Sequence, residues 1–387
     1  MRIGETRRFR RDPLGYIEGL RRGSTTEVIR LPGGGYCVRD AEPAQTLLRS
    51  PEYHTGKSTF FQELLPTRQS QVEVGHAVRN FLRAGVPQYR AALGHAVTEF
   101  PDVSRWPTAG NMLVHRCLAD LLLHPGTPAK TRRLANQAVR GGVVFRAPHV
   151  WQRARAEPLR ARLVNALTEQ VRHRREHRID EPRDVLDAVL RACPPEVTDR
   201  TAAELHLMMF RAIVVPLGTS LAWSVLLACL HHPSPSPWPW PWPADQVVRE
   251  ALRHRPMPWL LGRTIPHPLE LGGVAFQPGD LLSVSPYLMH HEEGQWSAPD
   301  VFRPERWSEP GERGSYVPFG AGPFACAGAA VAQTLLVESL TALARDAVLS
   351  VTGGDLRAVM AEGNVPRPFT LHRTLMPRGT STTRERR

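Results

Sequence analysis

Cysteine is scarce in this sequence, and the five present (Cys37, Cys117, Cys193, Cys229 and Cys326) are odd in number, far apart and without a paired motif. That spacing argues against a disulfide framework or a cysteine-held zinc, and free thiols suit a reducing, cytoplasmic setting. Residues 1–12 are arginine-rich and lack an apolar core, so neither an export signal nor an N-terminal anchor is indicated. The formal net charge is +12, mostly from arginine, but no helix-turn-helix, zinc finger or aromatic-basic platform accompanies it. Nucleic acid is therefore not the expected partner. Gly33, Gly34 and Gly35 lack the lysine and following helix of a phosphate loop, and read as the turn of a β-hairpin joining residues 26–31 to 36–38.

What is present is a core-forming chain of 387 residues, 42% hydrophobic, with no stretch that separates domains. It is expected to fold as one large unit, 1–387, with flexible ends at 1–12 and 380–387. Residues 205–230 are long and apolar enough to suggest a membrane crossing, but Arg211, Pro216, Gly218 and two hydroxyls interrupt them. A buried central helix, with no membrane as partner, is the expectation.

The chemistry concentrates in Phe319-Gly320-Ala321-Gly322-Pro323-Phe324-Ala325-Cys326-Ala327-Gly328, which places one cysteine just before a helical run ending near Leu343. A thiol near a helix start feels the positive end of the dipole and unpaired N–H groups, which favour thiolate. A thiolate serves as nucleophile or metal ligand. The flanking Gly320, Gly322, Ala327 and Gly328 leave room for something broad and flat against the backbone, which points to a haem with Cys326 as its axial ligand.

The spacing Phe-Gly-x-Gly-x-x-x-Cys-x-Gly resembles the haem-binding loop of the cytochrome P-450 family. The resemblance implies a mainly α fold with a small β portion, in a single large domain. It also implies haem b (iron protoporphyrin IX) and a haem-thiolate monooxygenase whose thiolate favours O–O cleavage. A soluble bacterial enzyme of secondary metabolism is expected, oxidising a small-molecule natural product. Electrons would come from a separate ferredoxin and reductase, and a basic face suits an acidic electron-transfer protein.

Further motifs carry the same resemblance. Glu250 and Arg253 match its Glu-x-x-Arg helix and Arg306 its second arginine, implying one buried network behind the haem. Arg263 matches a position that reaches a haem propionate, and His76, Arg79 and His291 are further candidates for that edge. Three departures stand out: Asn80 lies where an arginine would fall, Phe324 replaces a usual histidine or arginine, and residues 232–243 become a Pro-Trp run where extra helices are usual.

A fourth departure bears on the reaction. The family's central helix carries an acid followed by an alcohol that supply protons, but the corresponding positions are Val215 and Pro216. Proline lacks an N–H and frees the Ala212 carbonyl, so a bent helix is expected, with Thr219 or Ser220 as substitute hydroxyls. The alternatives are a peroxide-driven oxidation, in which Arg211 holds a substrate carboxylate, a non-oxygenating coupling or rearrangement, or a non-catalytic partner protein of the same fold. In the basic stretch 151–178, His173 and His177 have the spacing of a metal pair, but the surrounding arginines are expected to repel a cation.

Overall fold

A computed structural model describes residues 7–376 except 10, 33, 55–59, 62–63, 142, 145–149, 178–179, 233–239, 311–313 and 361–362. Helix α1 (Pro13–Gly23) leads into β1 (Val28–Arg30), β2 (Tyr36–Val38) and α2 (Ala41–Arg49). There follow α3 (Arg68–Ala84), α4 (Val86–Thr98), β3 (Val103–Trp106), α5 (Thr108–Leu122), α6 (Ala129–Arg140), α7 (Val150–Glu176) and α8 (Val185–Ala192). The long α9 (Asp199–His231) and α10 (Ala244–His254) precede β4 (Leu261–Thr264), β5 (Leu269–Leu271), β6 (Val274–Phe276), β7 (Leu281–Val284) and the short α11 (Pro286–His290). The chain closes with α12 (Ala329–Ala344), β8 (Ala347–Gly353), β9 (Ala358–Met360), β10 (Asn364–Pro366) and β11 (Phe369–Leu375). This is the mostly helical fold with a small β portion that the sequence implies.

The expected hairpin forms, with Ile29 opposite Cys37 and with Gly34 and Gly35 at φ of 85° and 81°, where a side chain would be strained. Gly33 lies outside the described residues. The hairpin extends into a four-stranded sheet of order β1-β2-β7-β4, in which β2 and β7 run parallel. That sheet shelters its own core of Val28, Val38, Leu282 and Val284, apart from the main helical core.

Thr198 caps α9 by accepting the Thr201 N–H, and the helix continues unbroken through Pro216. Its most apolar stretch is 83% buried within the protein, which identifies a core helix although its length and composition would suffice to cross a membrane.

Within the segment read as a flexible start, of which 1–6 and 10 lie outside the described residues, residues 7–9 and 11 are helical, the Asp12 N–H donates to the Arg8 carbonyl (3.0 Å), and Phe9 packs on Tyr16 and Trp259. Residues 380–387, read as flexible, lie outside the described residues, as do 233–239 of the Pro-Trp run. From that run Trp240 is buried, and Trp242 packs edge-on against Phe302.

Candidate functional site

The cysteine loop is shaped by its own backbone. Cys326 N–H donates to the Phe319 carbonyl (2.9 Å), and the Ala325 N–H donates to Gly322 (3.0 Å). Gly320 and Gly322 sit at φ of 73° and 70°, in the left-handed region. A Cβ on Gly322 would lie 2.2 Å from the Leu48 carbonyl oxygen, so the loop presses directly on the end of α2. Gly328 adjoins the start of α12 and leaves the ground beside the sulfur open, since a Cβ there would stand 3.9 Å from Sγ.

The five thiols divide sharply. Burial pushes Cys37, Cys117 and Cys229 up to about 12 and Cys193 to about 11, so none of these is a thiolate near neutrality. Cys326 is the exposed one. Its thiol is also held above the ordinary value, by desolvation, with the Gly328 N–H pulling the other way. The expectation of a dipole-lowered thiol is thus corrected: desolvation at the loop outweighs the nearby backbone N–H.

Behind the loop the structure brings Glu250, Arg253 and Arg306 together. The fully buried Glu250 carboxylate accepts from Arg253 (Nη2, 2.9 Å; Nε, 3.1 Å), Arg306 Nε (3.0 Å), Trp307 Nε1 (3.0 Å) and the Arg303 backbone N–H (3.0 Å). Arg253 also donates to the His290 carbonyl (2.7 Å). The His290 ring donates from Nδ1 to the Arg253 carbonyl (3.0 Å) and accepts the Val317 N–H at Nε2 (2.8 Å). Because Val317 immediately precedes Pro318 and Phe319, this relay ties the charge network to the base of the cysteine loop. Sequence reasoning favoured the neighbouring His291, which instead donates to the Tyr287 carbonyl (2.9 Å) and packs on the His254 and Tyr287 rings. None of those contacts is with the cysteine loop, and His291 is a buried packing residue.

Phe324, the departure inside the motif, lies between two cations. The Arg68 guanidinium is 4.2 Å from its ring centre and that of Arg263 is 5.8 Å away, both within cation–π range. Arg263 is 7% exposed, donates from Nη1 to the Gly262 carbonyl (2.9 Å) and has a buried Nε with no partner. A buried arginine with an unused donor beside the loop has the chemistry to accept a carboxylate. Arg68 begins α3 and escaped the sequence reading, although it shares the helix face of Gly75 and Arg79 by its spacing of seven and eleven. Gly75 brings that face against the loop, as a Cβ there would lie 3.9 Å from Ala327 Cβ. His76 is exposed on the same helix, and Arg79 is turned to the Asn80 side-chain oxygen (3.1 and 3.0 Å).

On α9, Val215 and Thr219 are buried and Pro216 is half-buried. Thr219 is 1% exposed and its hydroxyl has no hydrogen-bond partner, while Ser224 donates to the Ser220 carbonyl (2.8 Å). Four residues beyond Val215 and three beyond Pro216, Thr219 shares their helix face. Sulfur at the open end of a glycine loop, a buried arginine with a free donor and a backbone that admits a flat group form a donor set that fits a haem.

The comparisons with known proteins agree. The family model described as Cytochrome P450 matches residues 244–345. A steroid 17-alpha-hydroxylase/17,20 lyase of Ictalurus punctatus is 30% identical over 214 residues, 44% of this chain and 41% of that protein. The cyclooctatin synthase of Streptomyces melanosporofaciens is 38% identical over 104 residues, 26% and 23% of the two chains. The match thus spans less than half the length of either curated relative. Among solved structures, a zebra fish cytochrome P450 with progesterone has a TM-score of 0.73 at 20% identity, covering 94% of this chain and 99% of its own. The open cytochrome P450 EryK from S. erythraea has a TM-score of 0.72 at 18% identity, covering 95% and 97%. Residues 244–345, which hold the cysteine loop and its charge network, thus match the Cytochrome P450 family model, and the chain has the cytochrome P450 fold over nearly all of its length.

Proposed function

We propose that this protein is a haem-thiolate oxidoreductase that oxidises a small, largely apolar organic molecule, with Cys326 as the axial ligand of haem b. The observation that carries the reading is the Cys326 loop: one exposed sulfur, beside the Gly328 N–H, on a glycine backbone pinned to α2 and tied through Val317 and His290 to the buried Glu250 network. Haem bound there supplies oxygen activation and electron transfer, chemistry that no side chain provides. The chain's own residues do the rest. Cys326 gives the ligand, Arg263 and Arg68 offer cations to the carboxylates of the cofactor, and the apolar face of α9 excludes water. Metabolism of bacterial natural products is supported by the likeness to the cyclooctatin synthase and to EryK, and a separate ferredoxin and reductase would deliver the electrons.

The test is the spectrum of the reduced, haem-loaded protein with carbon monoxide. The far-shifted Soret band of thiolate ligation is expected from the wild type and lost from Cys326→Ser; a spectrum indifferent to that substitution refutes the assignment.

One observation favours a narrower variant. With Val215 and Pro216 in the acid and alcohol positions, the available group on that face is the unbonded Thr219 hydroxyl, which passes a proton but supplies none of its own. A peroxide-driven oxidation, or one in which the substrate brings its own acid, suits this better than ferredoxin-driven turnover. Side-by-side turnover with hydrogen peroxide and with ferredoxin, reductase and NADPH separates the two.

A further inference from the structure

We propose that His173 and Glu176 on the last turn of α7, with His177 just past its end, form a zinc site remote from the cysteine loop. Among the described residues they are the one cluster of at least three such donors close enough to share an ion, with ligand atoms within 4.8 Å of one another. Spacings of three and four put all three side chains on one helix face, and all are exposed. Zinc bonds of about 2.0–2.1 Å require donors somewhat closer together, roughly 3.3 Å apart in a tetrahedral site, which exposed side chains reach by turning their outer torsions.

The surrounding sequence argued against a cation, but the structure reverses that argument. Among the described residues, the flanking arginines Arg172, Arg174 and Arg175 each face a carboxylate on another element. Arg174 donates from Nη1 to Asp184 (2.6 Å) and Asp187 (2.7 Å), Arg175 to Asp199 (2.8 Å), and Arg172 lies 3.7 Å from the same Asp199. Glu176, in contrast, makes no ion pair among the described residues, although Arg172 stands four positions before it. Its carboxylate remains available.

Two further features point to a cation. The His177 ring donates from Nδ1 to the His173 carbonyl (3.0 Å), which fixes its tautomer and leaves Nε2 as the ligand atom. Histidines that hold metals characteristically spend their other nitrogen on such a partner. The two rings also lie with centroids 4.5 Å apart at the C-terminal end of α7, where unpaired carbonyls favour positive charge. Two histidines and one carboxylate, with positions left for water, are a zinc donor set.

A zinc ion here would staple the last turn of α7. That turn anchors two neighbours, α8 through Arg174 and the start of α9 through Arg175, so the ion would stiffen the junction from which the central helix departs.

Zinc chloride titrated into the full-length, haem-loaded protein, by calorimetry and by thermal unfolding, tests this. One zinc per chain and a rise in Tm are expected, with no rise from magnesium. Loss of a mere outer partner costs a metal site about 10- to 100-fold in affinity, so His173→Ala/His177→Ala is expected to cost at least about 100-fold and to abolish the Tm rise. Glu176→Gln is expected to weaken binding while leaving the metal-free Tm unchanged. Failure of the wild type to take up zinc overturns the proposal. So does equal zinc binding by the wild type and the double variant, which would place the ion elsewhere.

Discussion

The region behind the cysteine loop and the face of α9 that carries Pro216 are built on opposite principles. Behind the loop, one carboxylate, Glu250, gathers donors from two arginines, a tryptophan and a backbone N–H, and His290 passes the connection on to Val317. Along α9 the equivalent burial encloses Val215, half of Pro216 and a Thr219 hydroxyl bonded to nothing. The first arrangement holds the cysteine loop in one position and tolerates no missing member. The second is an apolar wall with a single polar atom, where chemistry changes without disturbing the fold.

Mutation should expose that contrast. The largest effect is expected at Glu250→Ala, which strands two buried guanidinium groups and should cost about 3–5 kcal/mol, read as a lower urea midpoint. Acid comes next. His290 is pushed down to about 3 and His115 and His206 to about 4, chiefly by burial, so each is neutral in the folded protein while the unfolded chain takes up protons below about 6.5. Their contribution is fully present above that pH and is lost as pH falls from about 6.5 toward 4 or 3. Stability should therefore drop by about 2 kcal/mol per histidine between pH 7 and 5 in denaturant titrations. A flat profile there would contradict neutral burial on either side of the molecule.

Arg263→Gln is expected to be milder. Losing a charged donor worth about 1.5–3 kcal/mol should speed haem transfer to apomyoglobin by about 10- to 100-fold, with the unfolding midpoint of the haem-free protein nearly unmoved. The smallest effect on stability, and the sharpest test of the contrast, is Thr219→Val. Removing a buried hydroxyl without a partner should leave the midpoint unchanged or raise stability by about 1 kcal/mol, while turnover falls. If Thr219→Val destabilised as Glu250→Ala does, the two regions would not differ in the way described.

Legibility in the sequence followed the same divide. The cysteine loop and the Glu250–Arg253 turn are runs of neighbouring residues whose spacing itself carries the chemistry, and the family match falls on residues 244–345. Within that readable part the adjacent His290 and His291 were not separable, because only packing decides which ring turns toward Val317. The packing of Phe9 was missed for a related reason, since its partner Trp259 arrives from across the fold.

The mainly helical fold with its small sheets was implied by the resemblance that the cysteine loop carries, and by itself the sequence determined the hairpin at Gly34 and Gly35, the buried α9 and the one cysteine set among glycines. These follow from local rules: helical periodicity, φ preferences and the room that small residues leave. The tertiary structure alone decided that Arg68 and Arg263 flank Phe324, that Arg174 and Arg175 beside His173 are already paired, and that Thr219 is left without a partner. A guanidinium or hydroxyl is satisfied or idle according to what lies within hydrogen-bonding reach, and that neighbour arrives from a segment far away along the chain.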